Sequence, residues 1–390
     1  MVLQVVLLLF LLSSFCPATA TFSSSASAKS VEAKPNCPDK CGNITVPYPF
    51  GFGDNTNCYR EGFRLSCNHT FTPPKLFAPD ILILVNTDQD RFYDEEDKEM
   101  EVKEISLLQG QLHVYSFMDY NCSNHSLVVS PNMSSILIYL RNTPYTFSDT
   151  RNIFTAIGCN TRAYIDSRNE STLWYRNFRF QYGCSNACEG MEETLNGSYP
   201  GMGYCQITIP KGLKYIWGTL EYFDNSSSGF NPCAYSFIAD KEWYNFSIAD
   251  LSGFDFYTRN RGMVPAILDW AIENDSCENI TLRNSTTYAC GNNTHCYKSP
   301  NGLGYLCKCL KGYGGNPYLQ HGCQDINECS NSTMNDCSSP GICTNMPGTY
   351  KCSCPPGTEG DGKRIGRGCI PLPPSKTKHW VIQLSIGNII

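Results

Sequence analysis

Charge is scarce in this 390-residue chain: 17% of residues are charged, and 36 acids face 30 bases for a net charge of −6. That balance leaves no basic footprint for nucleic acid and excludes a disordered polyelectrolyte. A mean hydropathy of −0.29 excludes a polytopic membrane protein. Recognisable catalytic patterns are also missing. The six histidines form no His-Glu-x-x-His, there is no Gly-x-Ser-x-Gly elbow, and no Gly-rich loop, His-Arg-Asp or Asp-Phe-Gly set marks phosphoryl transfer. A glycosidase needs only two placed carboxylates, but nothing singles out a pair. The chain reads as a non-enzyme, with no catalytic residue. At roughly 150 residues per domain its length suits two or three domains.

Cysteine, by contrast, is abundant, and the count of 23 is odd. The first twenty residues explain the odd member. An apolar run from Val2 to Leu12 is followed by small residues ending Ala18-Thr19-Ala20, a secretory leader with its cleavage pattern, and it contains Cys16. The run is too short for a membrane helix, which needs about 20 apolar residues. Removing 1–20 leaves 22 cysteines for an oxidising compartment, where thiols pair. A Ser/Ala-rich linker, 21–36, follows. Glycosylation acceptors agree with export. Asn-x-Ser/Thr occurs at Asn43, Asn68, Asn121, Asn124, Asn132, Asn169, Asn196, Asn225, Asn245, Asn279, Asn284, Asn292 and Asn331.

The 22 cysteines are unevenly spread. Residues 277–369 hold twelve, a disulfide-scaffold density, whereas 21–276 hold ten. The longer region carries short apolar runs bounded by Pro, Gly and Asn, such as Ile81-Leu82-Ile83-Leu84-Val85 and Ile136-Leu137-Ile138-Tyr139-Leu140. Such runs read as strands, so the fold is expected to be mainly β. The C-terminal third is too small to bury a sufficient core and must be stapled. It divides into two six-cysteine repeats: Cys277, Cys290, Cys296, Cys307, Cys309, Cys323, then Cys329, Cys337, Cys343, Cys352, Cys354, Cys369. Each contains Cys-x-Cys, a turn, and a last cysteine. Six cysteines allow 15 pairings, and spacing alone does not choose. Zinc is the rival reading, disfavoured in a secreted chain.

Both repeats, 277–323 and 325–369, resemble epidermal-growth-factor-like (EGF-like) modules. The resemblance implies Cys277–Cys296, Cys290–Cys307 and Cys309–Cys323, then Cys329–Cys343, Cys337–Cys352 and Cys354–Cys369. The second opens Asp325-Ile326-Asn327-Glu328-Cys329 and later runs Asn345-Met346-Pro347-Gly348-Thr349-Tyr350. These segments resemble the calcium-binding variant. Calcium needs six to eight oxygens. The resemblance implies side-chain oxygens from Asp325, Glu328 and Asn345, and carbonyls from Ile326, Met346 and Thr349. It also places Tyr350 against the preceding module. The ion would be structural, with an affinity of about 10⁻⁴ to 10⁻³ M. No calcium is expected in the first module, which lacks the Asp-x-Asn-Glu pattern.

The string Cys37-Pro38-Asp39-Lys40-Cys41-Gly42-Asn43-Ile44-Thr45-Val46-Pro47-Tyr48-Pro49-Phe50-Gly51, with Cys58 and Cys67, resembles the galacturonan-binding domain of plant wall-associated receptor kinases. Cys205-Gln206-Ile207-Thr208-Ile209-Pro210-Lys211-Gly212-Leu213 and Gly312-Tyr313-Gly314-Gly315-Asn316-Pro317-Tyr318-Leu319 resemble later parts of that family. Tyr199 and Tyr204 stand where the family usually has cysteines, which removes one bridge, keeps the count even and predicts a looser loop over 199–204. The resemblance implies 37–160 as the galacturonan-binding domain and 161–276 as the family's central region. Pectin is a polyanion, so its capture calls for Arg or Lys and for aromatic faces. Arg60, Arg64 and Lys75, with Tyr59, Phe63 and Phe71, are the candidates; a second stretch holds Arg141, Arg151, Arg162, Arg168, Arg176 and Arg179. The acidic run Asp94-Glu95-Glu96-Asp97 opposes pectin locally.

The tail, 370–390, starts with prolines and ends in eleven residues from Trp380 to Ile390 that resemble the start of a cut-off transmembrane helix. Either a truncated gene model or a soluble ectodomain variant fits; only a longer form would reach the plasma membrane. The expectation is a secreted, cell-wall ectodomain without a kinase, binding pectin or oligogalacturonides and stabilised by calcium. The alternative is a structural or decoy protein whose modules bind other cell-wall proteins.

Overall fold

The computed structural model describes residues 32–373 apart from 89–90, 95–97, 123–132, 141, 168–179, 189, 191–201, 225–228, 273–275, 283–286 and 301–303. The expected leader, the 374–390 tail, Arg141, Arg168, Arg176, Arg179, Tyr199, most of the acidic run, and Asn124, Asn132, Asn169, Asn196, Asn225 and Asn284 lie outside the described residues.

The fold is mainly β, and antiparallel strands dominate it. Its organiser is the strand Gln111–Cys122, whose first half alternates buried Leu112, Val114 and Ser116 with half-exposed His113, Tyr115 and Phe117. Period-two alternation buries one face of a strand. This first half pairs with Met100–Ser106 on one side and Met263–Trp270 on the other. Its second half pairs with Cys233–Asp240, and Tyr120 and Asn121 pair with Ser134 and Met133. One long strand therefore joins two parts of the sheet. The strand Met133–Tyr139 then leaves it to pair with Leu82–Asp88 and Tyr215–Tyr222.

Strands on either side of residue 160, expected as a domain boundary, belong to one sheet. Asn152–Ile157 lies between Tyr204–Thr208 and Cys233–Asp240, so strands from before and after 160 share hydrogen bonds. The apolar runs on either side need each other's faces for burial. Phe50, Phe63 and Trp270 meet edge-to-face at 5.1–5.6 Å between centroids in the main core, the geometry aromatic quadrupoles favour.

Five bridges staple this body: Cys37–Cys58, Cys41–Cys67, Cys122–Cys233, Cys159–Cys188 and Cys184–Cys205. Beside them Asn231 is fully buried and bonds three backbone groups, at Cys159, Cys233 and Leu251. A buried amide is tolerated when its donors and acceptor are all used. The predicted looseness near 204 is not what its described end shows. Tyr204 is buried and stacked on Phe246 at 4.5 Å, so a ring contact occupies the place of a bridge.

The first six-cysteine repeat is built into the body. Its hairpin, Thr294–Lys298 and Tyr305–Cys309, places Tyr305 and Leu306 in the main core, and Ile272 and Tyr305 exchange backbone hydrogen bonds of 2.9 and 3.1 Å. Trp270 packs on Tyr318 at 5.6 Å. Asn316, wholly buried, donates to the carbonyls of Glu32 and Tyr48 at 2.8 and 2.7 Å. The repeat's bridges are Cys277–Cys296, Cys290–Cys307 and Cys309–Cys323. The second repeat is held by Cys329–Cys343, Cys337–Cys352 and Cys354–Cys369 around the hairpin Ile342–Met346 and Thr349–Ser353. Among its described hydrophobic residues only Cys352 is buried, and Met334, Ile342, Met346, Ile365 and Ile370 are exposed.

Candidate calcium joint and ligand-binding face

The second hairpin turns tightly through Pro347 and Gly348, with Gly348 at φ 72°. Proline presets one turn position, and glycine alone adopts the positive φ of the next without strain. This turn brings Met346 and Thr349 opposite each other, and it reaches back to the entry of the module. Asp325 accepts from Asn345 Nδ2 at 2.6 Å and from the Gly348 amide at 2.5 Å. Ile326 donates its amide to the Gly312 carbonyl at 2.9 Å. Glu328 starts a short 3₁₀ turn capped by Asn327, and its Oε2 is buried with no hydrogen-bond partner among the described residues. A buried carboxylate oxygen left unpaired is costly. Among the described residues no three His, Cys, Asp or Glu converge. Asp325 and Asn345 meet at the joint and Glu328 lies three residues beyond Asp325; carboxylate and amide oxygens of this kind are the hard donors that calcium takes.

The aromatic contact across the joint differs from the sequence expectation. A Cβ on Gly348 would lie 2.8 Å from the Tyr313 ring, and one on Gly312 would lie 2.1 Å from the Gly348 carbonyl oxygen. Tyr313 of the first module thus packs on the turn of the second. Tyr350 faces its own module: its hydroxyl donates to Asp336 Oδ1 at 2.8 Å and accepts from the Asp336 amide. That hydroxyl, with Lys363 nearby, holds the Asp336 carboxyl below its ordinary range.

The candidates for pectin contact have separate fates. Arg60 donates to the Thr287 carbonyl at 2.5 Å, tying the N-terminal region to the first module. Lys75 is paired with Glu101 at 2.7 Å and lies 5.0 Å over the Phe71 ring. Arg64 is exposed, and its guanidinium has no partner among the described residues. Phe63 is a core residue, so it offers no platform, whereas Phe71 is exposed. In the second stretch Arg151 is bound to Asp240 at 3.2 Å. Arg162 is exposed on the strand Thr161–Ser167.

One feature escaped the sequence reading. On Met100–Ser106, Met100 and Val102 point into the core, which turns Glu101 and Lys103 outward next to Lys75 and Tyr115. Lys103 lies 4.8 Å over the Tyr115 ring. The alternation Met-Glu-Val-Lys carries this signal. The outward face therefore presents two cation–aromatic pairs, Lys75 with Phe71 and Lys103 with Tyr115. Segment 37–116 as a whole holds 13 acids against seven bases, so local pairs rather than bulk charge would have to hold a polyanion.

Of the described glycosylation acceptors, Asn43, Asn245, Asn279, Asn292 and Asn331 are exposed, and Asn68 is half-buried. At Asn121 the glycan-bearing atom, Nδ2, donates to the Leu220 carbonyl at 3.0 Å inside the sheet, which opposes attachment there.

A disulfide-stapled β body that ends in tandem six-cysteine modules suits an oxidising compartment. Family comparison agrees. Residues 37–116 match the wall-associated receptor kinase galacturonan-binding domain, and 325–369 match the calcium-binding EGF domain. Among curated proteins of Arabidopsis thaliana, wall-associated receptor kinase 2 is 33% identical over 85% of this chain and 40% of its own length. Wall-associated receptor kinase 5 is 32% identical over 92% of the chain and 44% of its own length. Over most of its length the chain is similar to wall-associated receptor kinases. It spans about two fifths of the length of these relatives, and no kinase domain is found in it. No helix among the described residues is long and apolar enough to cross a membrane.

Proposed function

We propose that this chain is a non-enzymatic ectodomain that captures pectin at the plant cell wall and is stiffened by calcium between its two modules. The observation that carries the reading is the galacturonan-binding match over 37–116, together with the cation–aromatic pairs on the outward face of that segment. Aromatic faces suit the C–H side of a sugar ring, and lysine or arginine suits its carboxylate. Lys103 and Arg64, with Phe71 and Tyr115, are the proposed contacts; Lys75 is compensated by Glu101, and Arg60 serves the fold. Calcium would be held by Asp325, Glu328 and Asn345 through side chains and by Ile326, Met346 and Thr349 through carbonyls. The unpaired Glu328 Oε2 supports that set. When bound, the ion neutralises the two carboxylates and fixes the second module to the Gly312–Tyr313 edge of the first.

A titration of the whole chain with graded oligogalacturonides, at two salt concentrations and with or without calcium, tests the proposal. Salt-sensitive uptake that falls in Lys103→Ala is the expected result. Uptake that is absent, or indifferent to salt, would contradict it. The exposed apolar side chains of the second module favour a second reading, binding of a cell-wall protein there. Retention of such a partner by residues 325–369 without any pectin uptake would select it.

A further inference from the structure

A cleft of about 330 Å³ lies outside the galacturonan-matched segment, formed entirely by the stretch from Trp243 to Asn260. That volume is at the small end of ligand sites, enough for one or two sugar units. The local fold explains why the cleft exists. Phe246, Leu251 and Phe256 pack inward on Phe237 in a second core, and the chain between them runs through a 3₁₀ turn, Ile248–Leu251, and a short helix, Asp255–Asn260. The polar side chains left over converge on Asp250. This carboxylate is 3% exposed and accepts from the Tyr244 hydroxyl at 3.1 Å and from Arg259 at 2.5 Å. Burial, with the Asp250 charge beside it, holds the Tyr244 phenol far above its ordinary range, so it remains a donor.

Three features point to a ligand. Arg259 is 55% exposed at its side chain and uses one edge on Asp250, which leaves the guanidinium's other N–H groups to the cleft. Trp243 is half-buried against Phe237 at 5.8 Å, and its indole N–H has no partner among the described residues. Asn260 spends Nδ2 on the Phe256 carbonyl and keeps its Oδ1 as an acceptor. An aromatic body with a fixed array of donors and acceptors suits a pyranose ring, apolar on one face and hydroxylated at its edge. Charge decides the kind of sugar. Asp250 and Arg259 compensate each other, so a uronate carboxylate finds no uncompensated cation here.

We propose that this cleft is a second carbohydrate site, taking a neutral pyranoside. It is independent of the pectin reading, which concerns an anionic ligand and a different face. Two sources of that chemistry exist. Asn245 is an exposed glycosylation acceptor on the cleft's own rim, so the first sugars of a glycan attached there are one source; a free neutral oligosaccharide is the other.

The test uses the whole chain with Asn245 glycosylated, and the Asn245→Gln variant. Each is titrated with chitobiose and cellotetraose while tryptophan fluorescence is followed, and Trp243→Phe identifies the reporting ring. If the attached glycan fills the site, free sugar binds only Asn245→Gln. If the site takes free sugar, both forms bind. In either case binding is unaffected by salt and falls at least tenfold in Arg259→Lys, which keeps the Asp250 pair but loses the planar outer edge. The proposal is overturned if neither form binds, or if binding is unchanged in both Trp243→Phe and Arg259→Lys. Equal competition by galacturonides would overturn the neutral assignment while leaving the pectin face to its own test.

Discussion

The two six-cysteine modules have the same bridge pattern and opposite relations to the rest of the molecule. The first gives Tyr305, Leu306 and Tyr318 to the main core and receives Trp270 in return. Among its described residues the second buries almost nothing beyond Cys352, and it meets its neighbour through the turn at Gly348 and the strand entering at Asp325. Bridges alone therefore do not set a module's independence; apolar surface does. Burial of a large aromatic contributes several kcal/mol, whereas an exposed module relies on its cross-links and on any ion at its joint.

That contrast can be broken by experiment. Trp270→Ala should have the largest effect, about 3–5 kcal/mol for a fully buried aromatic, and calorimetry should show the sheet and the first module destabilised together. A first module that melts separately would end the comparison. The next effect is pH-dependent. Burial raises Asp119 from 3.8 to about 7, although its carboxylate accepts from the Ile136 amide. Because the folded value is the higher one, this contribution is complete below about pH 4 and is lost as pH rises through about 7. The loss is at most about 4 kcal/mol at 1.36 kcal/mol per unit, and Asp119→Asn should remove it. The second module should respond with the opposite sign. Tyr350 at Asp336, and the backbone amides of Arg367, Lys363 and Gly368 at Asp361, hold those carboxyls low, so their contribution is lost as pH falls. Denaturation followed from about pH 2 to 8 with a probe in each region checks both signs, the second module's loss lying below about pH 4.

Removing the Cys337–Cys352 bridge by paired Ala substitutions should cost the second module about 2–4 kcal/mol and leave the body's transition unmoved. A shift of the body would show hidden coupling. Smallest, Gly348→Ala adds a Cβ 2.8 Å from the Tyr313 ring at φ 72°. It should cost about 1–2 kcal/mol, confined to the joint and visible as faster proteolysis there.

Much of this was legible in the sequence because it is local. Strand alternation, the twelve C-terminal cysteines and the Asp325–Glu328 and Asn345–Thr349 segments each declare themselves within a few residues. What the sequence did not disclose depends on distant partners. Nothing near Arg60 announces Thr287, and nothing near residue 160 announces that Asn152–Ile157 lies between two later strands. Phe63 reads equally well as a sugar platform or a core ring until Phe50 and Trp270 surround it. Tyr313 and Tyr350 both follow module patterns, and only the fold shows which one crosses the joint.

The most direct test is hydrogen exchange on the whole chain, with calcium and with chelator. Calcium should slow exchange in 325–350 and at the Gly312–Tyr313 edge, leave the sheet and the rest of the first module unchanged, and lose its effect in Asp325→Ala. Exchange in 325–350 that is identical with calcium and with chelator would contradict the account.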